Sequence, residues 1–432
     1  MKRRRAAAAF AAMALVATLA GAQVPDGVEA FDTAWTLVRD SHFDKSMNGV
    51  DWDAVRTELR PRAAAASSVG ELRAVIREML GRLGLSHFAL VPSTADVPGP
   101  EGDLGADPGL DVRLVDHSLL VTRVEPGVPD VHPGWRLMKI GRTDVSDQSH
   151  AAAADNPRLA GVEAWRVAQS LLRGPAGSKV DIVFEDGSGQ LQPRTLDRRP
   201  DQGQPVTVGS LPTMFVRVDS ARRRTPGGAT AGVIAFNVWM PAVDARFQKA
   251  MDDFRGADGI VIDLRGNPGG LAAMIMGISG HFFTERLTLG VMKTRDAELR
   301  FVTNPRLVNA RGERVAPFSG PVAILVDGMS GSASECFAGG MQSLGRARVF
   351  GQPSMGQALP ALFDRLPDGD LLIHAYGDFV TSDGRRLEGR GVIPDESQPL
   401  RRDDLLAGRD RPLDAALAWI DREKGGPGPA RP

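Results

Sequence analysis

Between residues 231 and 351, short apolar runs of strand length alternate with longer amphipathic ones, and that alternation limits the fold more than any other feature. The runs 231-AGVIAFNVW-239, 259-GIVIDL-264 and 321-PVAILVD-327 are rich in β-branched residues and bounded by Gly, Pro or Asp. Segments 241–256, 270–283 and 332–343 carry helical spacing, the first able to start on Pro241, and 347-ARVFG-351 adds a further strand. Strands without polar alternation are buried on both faces, which predicts an α/β sheet of partly parallel order. The predicted fold class is therefore α/β within an α+β multidomain chain, since 432 residues exceed one ordinary core.

The rest of the chain divides around this block. Met1 precedes Lys2-Arg3-Arg4-Arg5, an apolar run 6-AAAAFAAMALVATLA-20 and Ala20-Gly21-Ala22, the pattern of a secretory signal peptide over 1–22. Residues 23–98 read as a helical domain: 29–43 and 69–84 repeat apolar residues at i, i+3, i+4 and i+7. The stretch 97-VPGPEGDLGADPG-109 marks a boundary. Residues 102–200 read as strand-rich, with runs at 119–127, 134–145 and 178–189 and a helix near 162–173. The α/β block spans 205–405, and 406–432 holds a closing helix at 412–423 and a tail. A net charge of -1 gives no surface for nucleic acid. After signal cleavage no segment reaches transmembrane length, so a periplasmic or secreted location is expected. The single cysteine, Cys336, excludes an internal disulfide and reads as a small buried hydrophobe. No His or carboxylate spacing implies a metal, and no cofactor is expected.

Two turns carry candidate chemistry. In 263-DLRGNPGG-270 a strand runs into glycines and then a helix, so backbone N–H groups can face an anion or oxyanion. Asp263 and Arg265 read as a pair bracing the strand end. In 328-GMSGSASECFAGG-340, Ser332 to Glu335 has capping-box spacing. A capping serine also sits where a nucleophile profits from the helix N-terminus, and the local sequence does not separate the two roles.

Three motifs in order, 263-DLRGNPGG-270, 330-SGSASE-335 and 388-EGRGVIPD-395, resemble the carboxyl-terminal processing and tricorn-core family of serine peptidases. The resemblance extends over nearly the whole mature chain. It implies a crotonase/ClpP-like α/β catalytic domain, with a PDZ-like module over 102–200 that binds peptides through Gly109, Leu110, Asp111 and Val112. The family nucleophile falls on Ser332, and the oxyanion donors on Ala333 and the pair Gly269/Gly270. The processing branch carries a lysine base about twenty-five residues later, where this chain has Gln357; no lysine lies between Lys293 and Lys424. Glutamine has no titratable proton. The tricorn branch places its base in an "L-x-x-S-H" segment, matched by 83-LGLSH-87, which implies His87 as base with Ser86 and Glu388 as positioning partners. His374, in the strand predicted at 370–379, is the reserve base. The resemblance implies an exported endopeptidase acting on polypeptides through an acyl-enzyme. A peptide-binding protein that has lost the chemistry is the alternative left by Gln357.

Overall fold

A computed structural model describes residues 27–93, 105–146, 157–209 and 213–424. The signal-peptide reading of 1–22 and the boundary near 97–104 lie outside them.

The N-terminal layer is three helices, α1 (Gly27–Ser41), α2 (Trp52–Ala64) and α3 (Val69–Gly81), followed by strand β1 (Ala89–Val91). Asp51 and Ser68 cap α2 and α3 through their side chains. Phe31, Trp35, Leu59, Leu72, Ile76 and Met79 face inward and form a core.

The middle layer is an antiparallel sheet, β2 (Leu110–Val115), β3 (Ser118–Val124), β4 (Arg136–Ile140), β5 (Lys179–Glu185) and β6 (Leu191–Asp197), paired in that order. Helix α4 (Pro157–Leu172) packs along β2, the edge strand. There the Trp165 indole N–H donates to the Val112 carbonyl at 2.7 Å.

The third layer is built on a six-stranded sheet of order β7 (Val218–Arg224), β8 (Thr230–Phe236), β9 (Gly259–Asp263), β12 (Val322–Val326), β13 (Arg348–Gly351) and β17 (Glu396–Ser397). Only the β7–β8 pair is antiparallel. Helices α5 (Ala242–Asp253), α6 (Met274–Ser279) and α7 (Ala333–Ser343) cover one face, and α9 (Arg411–Glu423) the other, after the short α8 (Arg402–Leu406). Two further sheets complete it. Strands β10 (Thr288–Thr294), β11 (Glu298–Val302) and β16 (Gly377–Thr381) form one, and β14 (Ala361–Arg365) and β15 (Leu371–Ala375) form the other with β1.

That last pairing joins the ends of the chain. β1 lies antiparallel to β15 in the register Leu90 to Leu372, and Leu366 and Leu372 complete the N-terminal helical core. Arg73 of α3 grips the fully buried Asp370 carboxylate in a fork, with two bonds of 2.7 Å. Replacing Asp370 by alanine removes this fork and the acceptor of Ser93 N–H. Removing one partner of a buried pair costs about 3–5 kcal/mol. The expected result is a Tm fall of several degrees by calorimetry; an unchanged Tm would show that this seam contributes nothing.

Two predicted elements differ. The helix expected over 270–283 is confined to Met274–Ser279. Gly270 has φ +136°, and Leu271 N–H donates to the Trp239 carbonyl, so the chain is not helical until Met274. The strand expected over 370–379 is two strands, β15 and β16, broken at Tyr376, whose N–H donates to Pro360 outside the ladder.

Candidate active site

Two loops at the carboxyl ends of the parallel strands β9 and β12 interlock, the position where α/β sheets bind ligands. Asp327 accepts N–H bonds from Gly266 and Met329. The fully buried Ser330 hydroxyl donates to the Leu264 carbonyl and accepts from Asp327 N–H. Ser334, also fully buried, donates to Asn267 and accepts from the Trp239 indole. Two of the three serines are thus consumed in joining the loops. Ser332 is the third: half-buried, and held at φ 51°, ψ -117° at the start of α7. A non-glycine residue at positive φ costs of order 1–3 kcal/mol and persists where surrounding structure enforces it. The enforcement is visible, since Ser332 N–H donates to both the Gln357 carbonyl (2.8 Å) and the Glu335 carboxylate (3.0 Å).

Glu335 does more than the capping role its spacing predicted. Completely buried, it also accepts from Ser354 Oγ and from the N–H groups of Gly356 and Gln357, tying the 354–357 segment to the serine turn. Burial pushes its carboxyl up to about 7 despite those donors.

The base reading rests on a relay from the other end of the chain. Glu388 is buried at 9 % exposure and is not a surface turn charge. Its carboxylate accepts from Ser86 N–H (2.8 Å), Ser86 Oγ (2.9 Å) and Ala358 N–H (3.0 Å), and burial raises its pKa. Ser86 Oγ is in turn 2.8 Å from His87 Nδ1. A hydroxyl has one proton, and Ser86 gives it to Glu388, so His87 Nδ1 is the donor to Ser86. The Nε2 lone pair is then left as the acceptor. Burial, reinforced by the Arg166 guanidinium, lowers the His87 pKa to about 4, so the ring is neutral at ordinary pH. His87 too has positive φ, 59°. Among the described residues no hydrogen bond joins His87 directly to Ser332. The two are linked through the Gln357–Ala358 dipeptide, which bonds to Ser332 on one side and Glu388 on the other.

The remaining predicted residues sort as follows. Gly269 N–H is taken by Asn267 Oδ1 at 3.0 Å, so it is not a spare donor. Gly269 instead allows close approach, because a Cβ there would lie 2.5 Å from Ser332 Cβ. Gly270 and Ala333 N–H have no acceptor among the described residues. A side chain at 270 would collide with the Trp239 carbonyl. His374 has both ring nitrogens engaged, Nδ1 with Ser41 Oγ and Nε2 with Asp364, each at 2.7 Å, which removes it as a free base. Cys336 is buried, and burial pushes its thiol pKa well up. Arg265 and Asp263 do pair, at 2.6 Å, with Asp410 as a second partner. Gly109 N–H bonds to Asp107, while Leu110 and Val112 are buried strand residues of β2. Sequence reasoning missed Arg166, Ser354 and Asn267; Arg166 and Ser354 lie in no motif.

Comparison with known proteins finds a peptidase family. Residues 230–398 match peptidase family S41, and residues 28–81 the tricorn protease C1 domain. The chain is 26% identical over 377 residues to a carboxyl-terminal-processing protease of Picosynechococcus, covering 85% of this chain and 82% of the relative. It is 25% identical over 407 residues to tricorn protease homolog 1 of Streptomyces coelicolor, covering 90% of this chain but 34% of that longer protein. The solved photosystem II D1 C-terminal processing protease superposes with a TM-score of 0.59 at 20% identity, covering 92% and 98% of the two chains.

Proposed function

The chain belongs to peptidase family S41 and is a serine-type peptidase, and from that premise we propose that Ser332 and His87 are its nucleophile and base. His87 Nε2 takes the Ser332 Oγ proton as the oxygen attacks the scissile carbonyl carbon. The tetrahedral oxyanion is held by Gly270 and Ala333 N–H at the positive end of α7. His87 then gives its proton to the leaving amine, and water repeats the sequence to free the acyl group. Glu388 acts on the imidazole through Ser86, steadying the tautomer and the imidazolium. The observation that carries this reading is the Glu388–Ser86–His87 chain, which leaves Nε2 as the ring nitrogen with no partner among the described residues.

The same proposal takes polypeptides as substrates, export through the N-terminal segment, and a PDZ-like role for β2–β6 with α4. Edge strand β2 is the element on which an extended peptide would pair. Trp165 occupies one of its carbonyls, so pairing along the whole strand requires that indole to leave.

One observation favours a second reading, a peptide binder without chemistry: among the described residues no titratable side chain is hydrogen-bonded to the Ser332 hydroxyl. A fluorophosphonate probe separates the two, because it reacts only with an activated serine. Stoichiometric labelling of the wild type, lost in Ser332→Ala, supports the peptidase; an unlabelled wild type supports the binder.

A further inference from the structure

A cavity of about 490 Å³ lies at the end of the molecule opposite Ser332. Its lining includes Met251 and Arg255 at the end of α5, His281 after α6, and Arg306, Val315 and Phe318 from the long connection between β11 and β12. Residues 257 and 320, also in its wall, immediately precede β9 and β12. These parallel five-residue strands run from the cavity to the loops holding Gly270 and Ser332. At about 3.3 Å per residue the separation is about 16 Å, so the cavity is not part of the catalytic cleft.

Its electrostatics are unbalanced. Arg255 is paired with Asp252 and Arg306 with Asp244, each at 2.5 Å. Arg346, which donates to the Phe318 carbonyl behind the cavity wall, has no carboxylate partner among the described residues. It is 8 % exposed, its Nη1 has no acceptor, and desolvation lowers its pKa to about 10. Arg306 Nε and His281 Nε2 are likewise buried without partners among the described residues, and His281 is 4 % exposed. Buried donors left unpaired cost free energy, and an uncompensated buried cation costs several kcal/mol. Arg306 Nε and His281 Nε2 belong to lining residues and Arg346 lies behind the wall at Phe318, so one uncompensated positive charge and two unpaired ring or guanidinium nitrogens adjoin the cavity and suit an acceptor of single negative charge. The dimensions suit a small organic ligand, and Met251, Val315 and Phe318 supply an apolar surface for its body.

We propose that this cavity binds a small organic carboxylate, whose oxygens take the unpaired Arg306 Nε–H and, in the tautomer that carries its proton there, His281 Nε2–H, and whose charge offsets Arg346. The site is separate from the peptidase chemistry. Its single compensating charge selects a monocarboxylate over a phosphate dianion.

The test is titration of sodium benzoate into the full chain by calorimetry at constant ionic strength, with inorganic phosphate in parallel. Saturable one-to-one benzoate binding is expected, weakened at least tenfold in Arg306→Gln. That side chain is partly exposed and outside the catalytic machinery, so peptide turnover should be unchanged. Should Arg306→Gln fail to fold, Ser319→Trp, an exposed wall residue, blocks the mouth and should abolish binding. No saturable binding, binding undiminished in the variant that folds, or binding of phosphate in preference to benzoate would each overturn the proposal.

Discussion

Ser332→Ala is expected to lower peptide hydrolysis by roughly 10⁴–10⁶-fold while the protein stays folded. No neighbour can take over. The Ser330 and Ser334 hydroxyls are each tied to two groups in the sealed joint between the loops, and the Cys336 thiol is buried and held protonated. Folding should survive because the groups that hold residue 332 at positive φ act on its backbone N–H, which alanine retains. The change should therefore move Tm by no more than a degree or two, whereas turnover drops to what the oxyanion donors alone provide. Single-turnover assays on a peptide substrate beside a thermal melt check both halves. Retained turnover would remove Ser332 from the chemistry; lost turnover with a collapsed melt would make it a structural residue.

Much of this arrangement was legible because each local signal answers to a local cause. The strands at 259–263 and 322–326 are continuous apolar runs because both faces of the sheet are covered. The glycines at 269 and 270 had to be glycines: a Cβ on one would meet the Ser332 Cβ and on the other the Trp239 backbone. What the sequence hid was set by tertiary contact. Residues 281–283 look helical because they are apolar and spaced like α6. They are instead buried as a loop, where the Gly280 carbonyl accepts from Arg306 N–H. The strand predicted over 370–379 splits because one half pairs with β1 and β14 and the other with β10.

The site followed the same division. Ser332 stood out in a motif, but its motif fits a helix cap equally well. What distinguishes it from Ser330 and Ser334 is which hydroxyls the neighbouring loop consumes, a fact held by residues 264–267. The glutamate of that motif, Glu335, spends its carboxylate on the 354–357 segment as well as on the cap. The opposition of His87 and Glu388 is a product of β1 pairing with β15 and of the Arg73–Asp370 grip, between residues some three hundred positions apart. Local periodicity contains nothing of that.

The second large effect is expected at the base. His87→Ala should reduce kcat/KM by about 10²–10⁴-fold, the usual contribution of a positioned general base. Glu388→Gln should cost less, because Ser86 still orients the ring but the imidazolium loses its carboxylate support. The pH profile tests the assignment more sharply. A base must be neutral, so kcat/KM follows the fraction of unprotonated His87. Its pKa is pushed down to about 4 by burial and by Arg166. The limb that belongs to His87 should therefore lie near 4, below any that protonation of Glu335 near 7 imposes through the serine turn. Replacing Arg166 by glutamine removes a cation that disfavours imidazolium, so the pKa must rise and the acid limb must move to higher pH. A purely structural histidine would give no such movement. The absence of a limb that Arg166→Gln moves, or a His87→Ala enzyme within tenfold of wild type, would transfer the proton to some other group.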